Sequence, residues 1–101
     1  EGDPICDQYR MDIFPNAVIL CVADGCNWGD KPRRAAKIAA NTMTTFVEQN
    51  LGTMKCVADV IHTLVAALAD AQIAITTGPE EIWNGGNTTA NIGVAIEVDQ
   101  K

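Results

Sequence analysis

At 101 residues the chain is at most one domain, and 48% apolar with 20% charged residues is the balance of a globular protein, not a disordered one. Its 13 acidic against 7 basic side chains leave a net charge of −6. That balance argues against nucleic acid or an anionic membrane as partner, since both are bound through clustered Lys and Arg.

The Arg33-Arg34 pair is too small for such a patch. No apolar segment reaches the roughly 18–20 residues that span a bilayer, and Glu1-Gly2-Asp3-Pro4 is unlike a signal peptide. Cys6, Cys21, Cys26 and Cys56 include no C-x2-C pair, so they read as reduced thiols of a cytoplasmic protein, with the nucleus as the alternative. Asn87-Thr88-Thr89 matches a glycosylation sequon but reads as strand sequence.

From Ile5 to Phe14 polar and apolar residues alternate, with Ile5, Asp7, Tyr9, Met11 and Ile13 on one face and Cys6, Gln8, Arg10 and Asp12 on the other. This predicts a strand buried on its apolar face, which only Asp7 spoils. Pro15-Asn16 makes a turn, and Ala17-Val18-Ile19-Leu20-Cys21-Val22-Ala23 is a solid apolar run that predicts a central strand covered on both faces. The two form a hairpin.

Asp30 is a good N-cap and Pro32 suits a first helical turn. Ala36, Ala39, Ala40, Met43, Phe46 and Val47 then recur at helical spacing over residues 32–50, and Gly52 is the expected stop. Thr53 is expected to cap a second helix with a core stripe of Val57, Val60, Ile61, Leu64, Leu68, Ala71 and Ile75, ended by Gly78-Pro79. After the loop Trp83-Asn84-Gly85-Gly86, residues 88–98 predict a strand with Thr88, Ala90, Ile92, Val94, Ile96 and Val98 on one face. The order β-β-α-α-β predicts an antiparallel sheet with one layer of two helices, an α+β fold. A central strand covered twice needs another layer, which three strands and two helices do not supply.

Chemistry concentrates where the second strand ends, in Asp24-Gly25-Cys26-Asn27-Trp28-Gly29. A carboxylate there is a hard-cation ligand, and a glycine lets the backbone carbonyl turn toward the same ion; Asp-Gly is equally a frequent turn dipeptide, with Asp24 as a turn cap. His62, the one histidine, falls off the apolar stripe and reads as solvated. It cannot serve a Ser/His/Asp or Cys/His catalytic set. Trp28 reads as packing over the sheet end, or as lining the loop or contacting a substrate; Trp83 reads as a loop anchor rather than a binding platform, and Glu80-Glu81 as a solvated loop.

Val22-Ala23-Asp24-Gly25-Cys26-Asn27-Trp28-Gly29, then Ala35-Ala36 in the following helix, then Gly86-Asn87-Thr88-Thr89-Ala90 opening a strand after a second helix, resembles the PPM-type (protein phosphatase 2C) metal-dependent Ser/Thr phosphatases. Glu1 and Asp3 stand about twenty residues before Asp24, where these proteins carry an acidic pair. The resemblance covers nearly all of the chain in order. It implies an αββα sandwich, antiparallel sheets flanked by helices, of which residues 1–101 are the N-terminal part of a single domain, with the remainder needed to complete the fold.

It also implies two Mg²⁺ or Mn²⁺ ions bridged by Asp24, with the Gly25 carbonyl as a ligand and Asp3, or Glu1 as alternative, holding metal-bound water. The implied reaction is in-line attack of metal-activated water on a phosphoprotein substrate. Further metal aspartates would lie beyond Lys101, so the chain alone is expected to be inactive. In place of the usual His-Gly or Met-Gly the loop carries Cys26-Asn27. That motivates the alternative of a pseudophosphatase kept as an interaction or regulatory module. A third reading is a stand-alone acidic module whose exposed sheet face pairs with itself.

Overall fold

A computed structural model describes residues 7–26, 29–78 and 86–97 of the chain. Pro15 and Asn16 form a two-residue turn between strand β1 (Asp7–Phe14) and strand β2 (Ala17–Gly25). Phe14 pairs with Ala17, and every residue further back on β1 meets one equally far along β2. After helix α1 (Asp30–Gln49) and helix α2 (Val57–Thr76), strand β3 (Thr88–Ile96) pairs antiparallel on the other side of β2. The sheet order is β1-β2-β3. The expected element order and the α+β class are therefore the observed ones.

The helices cover one face of the sheet. From β2 that face carries Ala17, Ile19, Cys21 and Ala23, all buried, and from β3 it carries Thr88, Ala90, Ile92, Val94 and Ile96, half-buried. Helix α1 contacts all three strands and also α2, so it links the sheet to α2. Its buried Ala35, Ala36, Ala39 and Ala40 let neighbouring backbones approach closely, with Met43 and Val47 filling the remaining core.

Two expectations about the sheet are corrected. Strand β2 is covered on one face, not two: Leu20 and Val22 are 41% and 43% exposed. Strand β1 is turned the other way from the alternation reading, with Tyr9 78%, Met11 52% and Ile13 72% exposed. Directly opposed residues share a face. Since Cys21 and Ala23 point to the helices, the register sends Arg10 and Gln8 there and leaves Tyr9 beside Val22 and Met11 beside Leu20 on the open face. Arg10 tolerates the helix side because its Nε and Nη2 donate to Asp12 at 3.2 and 2.9 Å, and Glu48 of α1 lies 3.8 Å away.

The helix boundaries also differ from the capping rules. Gly29, at φ +105°, precedes α1 as N-cap and no side chain caps it; Asp30 is the first helical residue, where its charge suits the positive end of the helix. Asn50, not Gly52, ends α1, and its Nδ2 donates to the Phe46 carbonyl at 2.8 Å. Thr53 closes the short 3-10 turn Leu51–Thr53 by donating to the Asn50 carbonyl, and Cys56 is the N-cap of α2. In that first turn the Asp59 carboxylate accepts the Lys55 N–H at 2.9 Å, which holds its pKa below the usual range.

On α2 the buried positions are Thr63, Ala67, Ala71 and Ile75, with Val60 and Leu64 half-buried against the core. The expected core residues Val57, Ile61 and Leu68 are exposed instead. The helix seats on α1 through its small residues, and the larger apolar side chains fall beyond the contact. At 20 residues α2 is also long and apolar enough, by length and composition, to cross a membrane, contrary to the reading that no segment is.

The face assignment has a direct test. Ile19→Ala, which empties a fully buried site, is expected to cost about 2–5 kcal/mol in denaturant unfolding. Met11→Thr on the open face is expected to stay within about 0.5 kcal/mol. Comparable losses would contradict the assignment.

Candidate functional site

The hairpin register decides what lies at the end of β2. Asp7 is seven residues before Phe14 and Asp24 seven after Ala17, so the two aspartates stand directly opposite each other. On the other side Asp24 is opposite Thr89. One row across three strands thus reads Asp7, Asp24, Thr89, on the same open face as Tyr9, Met11, Leu20 and Val22. All three side chains are exposed.

Two carboxylates in register repel unless a proton or cation lies between them. The Asp24 pKa is accordingly raised, first by a hydrogen bond shared with the Asp7 carboxyl, then by its like charge, and last by slight desolvation. The Thr89 hydroxyl donates to the Asp24 carbonyl at 3.3 Å, and the Cys26 N–H donates to the Asn87 carbonyl at 2.9 Å. The start of β3 therefore fixes the backbone that carries Asp24. Two facing carboxylates could hold a hard dication, each giving it an oxygen ligand.

Gly25 ends β2 opposite Thr88, and among the described residues the left-handed glycines are Gly29, Gly78 and Gly86. Gly25 is thus extended strand and not the turn that the Asp-Gly reading gave it. Gly86 has a separate task. At φ +83° it lies so close to the first turn of α1 that a Cβ would fall on the Lys31 carbonyl. Further along the same helix, Arg34 donates to the Ile75 and Thr77 carbonyls at 3.0 and 3.4 Å, capping the C-terminal end of α2. The start of β3 is thus held against β2 at Cys26 and against the first turn of α1 at Gly86, and α1 is tied to the end of α2 by Arg34.

Glu1 and Asp3, the acids that the family resemblance pointed to, lie outside the described residues, as do Cys6, Trp28, Trp83, Glu80-Glu81 and Val98. By alternation alone Asp7 is only a blemish on an apolar face. Counting the hairpin from its two-residue turn was the signal that finds it. His62 is exposed on α2, as expected. Cys21, Cys26 and Cys56 are free thiols, with burial pushing the Cys21 pKa up. Among the described residues no three His, Cys, Asp or Glu side chains form a metal-holding group; the row supplies two carboxylates. A groove of about 300 Å³ lined by Asn41, Thr42, Thr45, Phe46, Gln49 and Asp70 runs along the helices and includes neither aspartate.

Fold and site together define an antiparallel sheet with helices on one face and an acid pair at the end of its central strand. The chain is 25% identical over 97 residues to the PP2C-like domain-containing protein CG9801 of Drosophila melanogaster, a match that takes in 94% of the chain and 12% of that protein. The similarity is to a PP2C-like protein, and the chain spans about an eighth of that relative's length. No family model and no solved structure matches.

Two predictions follow from this geometry. Gly86→Ala is expected to destabilise the chain by about 2 kcal/mol or more in denaturant unfolding, because a positive φ and a backbone clash combine. Asp24 has a raised pKa in the folded state, so the fold binds its proton more tightly than the unfolded chain does, and stability falls as pH rises through the carboxylate range. Asp24→Asn is therefore expected to raise the metal-free melting temperature at pH 7 and leave it unchanged near pH 3, as thermal scans at both pH values would show.

Proposed function

We propose that this chain is the N-terminal part of a PP2C-like, metal-dependent protein Ser/Thr phosphatase domain. The observation that carries the reading is the in-register pair Asp7–Asp24 at the end of an open, apolar sheet face. The similarity to a PP2C-like protein over 94% of the chain supports it. Asp24 and Asp7 would hold divalent cations, Mg²⁺ or Mn²⁺, two in the complete site, with the Gly25 carbonyl as a further ligand. The register favours Asp7 over Asp3 and Glu1 as the second acid, since it faces Asp24 directly. The ions supply Lewis-acid activation of water for attack on a phosphate ester.

The chain's own residues have three tasks in this reading. The two carboxylates bind and neutralise cation charge. The start of β3, through Thr89 and Asn87, orients the backbone at Asp24 and Cys26. The open face formed by Tyr9, Met11, Ile13, Val18, Leu20 and Val22 seats a second sheet from the remainder of the domain, completing an αββα sandwich and excluding water from that side. The phosphoprotein substrate approaches at the strand ends, where the acid row is exposed.

Mn²⁺ binding to the 101-residue chain, read from loss of the free-ion EPR signal, is expected to weaken at least tenfold in Asp24→Asn and in Asp7→Asn. In a polypeptide carrying this segment with the rest of the domain, Mn²⁺-dependent hydrolysis of p-nitrophenyl phosphate is expected to collapse in Asp24→Asn. Unchanged Mn²⁺ binding in both variants would overturn the site. Intact binding without hydrolysis would turn the reading to a pseudophosphatase.

A further inference from the structure

Helix α1 carries its cations at the end that suits its own stability least. Lys31, Arg33, Arg34 and Lys37, out of 7 basic side chains in the whole chain, fall at its start, and its last turn has none. The positive N-terminal end of a helix disfavours cations, and like charges four residues apart repel each other. Arg34 is accounted for by the Ile75 and Thr77 carbonyls at the end of α2. Arg33 and Lys37 are exposed one turn apart on one face, and among the described residues neither joins an ion pair. On the same helix one acid, Asp30, precedes them, and the next is Glu48, which lies beside Arg10. Arg33 and Lys37 are thus a local cationic surface on a chain of net charge −6.

This surface adjoins the acid row. Thr88 pairs with Gly25, the residue after Asp24, and Gly86, two residues before Thr88, sits on the Lys31 carbonyl. Arg33 follows Lys31 by two residues, so these short links keep it within about 20 Å of Asp24. We infer that Arg33 and Lys37 bind acidic side chains of the phosphoprotein substrate, an inference that rests on the phosphatase reading above. They select phosphorylated residues with Asp or Glu at alternate positions within about six residues. Four helical residues rise about 6 Å, and alternate residues of an extended peptide stand about 6.6 Å apart on one face, so the two spacings match. The acid row is on the open side of the sheet and α1 on the other. The peptide therefore crosses the strand ends, where the row is exposed.

Charge complementarity chooses this occupant. Nucleic acid needs many more cations, since its affinity grows with each phosphate neutralised. An anionic membrane is bound through clusters of about four to eight Lys and Arg. A short acidic peptide needs only a cation for each of two carboxylates. The chain's net charge does not forbid it, because screening limits each exposed charge to about 8 Å at physiological salt. Asp30 sits at the positive end of the helix, which offsets it, and the cations held by Asp7 and Asp24 offset that pair. Exposed ion pairs are individually weak, so Arg33 and Lys37 tune selectivity and do not hold the substrate by themselves.

The test uses a polypeptide carrying this segment with the rest of the domain, supplied with Mn²⁺, and phosphoserine peptides of equal length. One has Glu at alternate positions on both sides of the phosphoserine, one has Ala there and one has Lys. The wild type is expected to prefer the Glu peptide to the Ala peptide about tenfold in kcat/KM, through KM. The double variant Arg33→Glu, Lys37→Glu keeps good helix formers at exposed positions, and circular dichroism checks its fold. It is expected to lose that preference, to gain on the Lys peptide, and to hydrolyse p-nitrophenyl phosphate within about twofold of wild type. Equal wild-type rates on the Glu and Ala peptides, or a preference that survives the charge reversal, would overturn the inference. So would an equal loss on p-nitrophenyl phosphate, or binding to single-stranded RNA or phosphatidylserine vesicles through Arg33 and Lys37 with no peptide preference. A wild type inert on every phosphate ester would defeat the phosphatase reading alone. The contact is then read from fluorescence anisotropy of the labelled Glu peptide. Binding about tenfold weaker in the double variant supports the contact, and unchanged binding overturns it.

Discussion

The two-residue turn at Pro15-Asn16 is the constraint on which the rest depends. A β-strand turns its side chains with a period of two, so a hairpin with one residue more or less would exchange both faces of β1. With Phe14 opposite Ala17, Ala17, Ile19, Cys21 and Ala23 of β2 and the polar side of β1 face the helices, and the aliphatic and aromatic side of β1 joins Val18, Leu20 and Val22 on the open face. The same register, followed seven residues outward, opposes Asp7 to Asp24. Face assignment and acid pair are consequences of one turn.

Around that hairpin the packing is built from small residues. Alanines of α1 share one core with Ile19, Cys21 and Ala23 of β2, and Ala67 and Ala71 of α2 take part in it. Close backbone approach leaves little volume for large side chains in the core. The large apolar residues accordingly gather on two outer surfaces, the open sheet face and the free side of α2. A chain of this length buries only part of what its composition offers, and the two surfaces are where the surplus lies. The sheet surface ends in carboxylates that suit a cation; the helix surface has no formal charge at all.

Much of this was legible in the sequence. Element types and order followed from periodicity and from the turn residues. So did the central place of β2 and its end at Asp24-Gly25. The orientation of β1 was not legible, because alternation separates two faces without saying which meets the helices; Arg10 points inward only because Asp12 and Glu48 are there to receive it. The stripe of α2 misled for a related reason. Nearly all of its circumference is apolar, so the side that α1 covers is decided by tight packing at Thr63, Ala67 and Ala71, not by hydrophobicity. The cap residues failed where tertiary contacts outweighed local chemistry, as when Asn50 rather than Gly52 ended α1. Asp7 was within reach of a careful count from the turn.

The central claim is that Asp7 and Asp24 form one cation site at the strand ends. Its most direct test is paramagnetic broadening of the amide spectrum of the 101-residue chain by substoichiometric Mn²⁺. Selective loss of the signals of Asp7, Asp24, Gly25 and Thr89, reversed by excess Mg²⁺, is the predicted result. Broadening centred on Asp59 or Asp70, or spread evenly over the acidic surface, would contradict it.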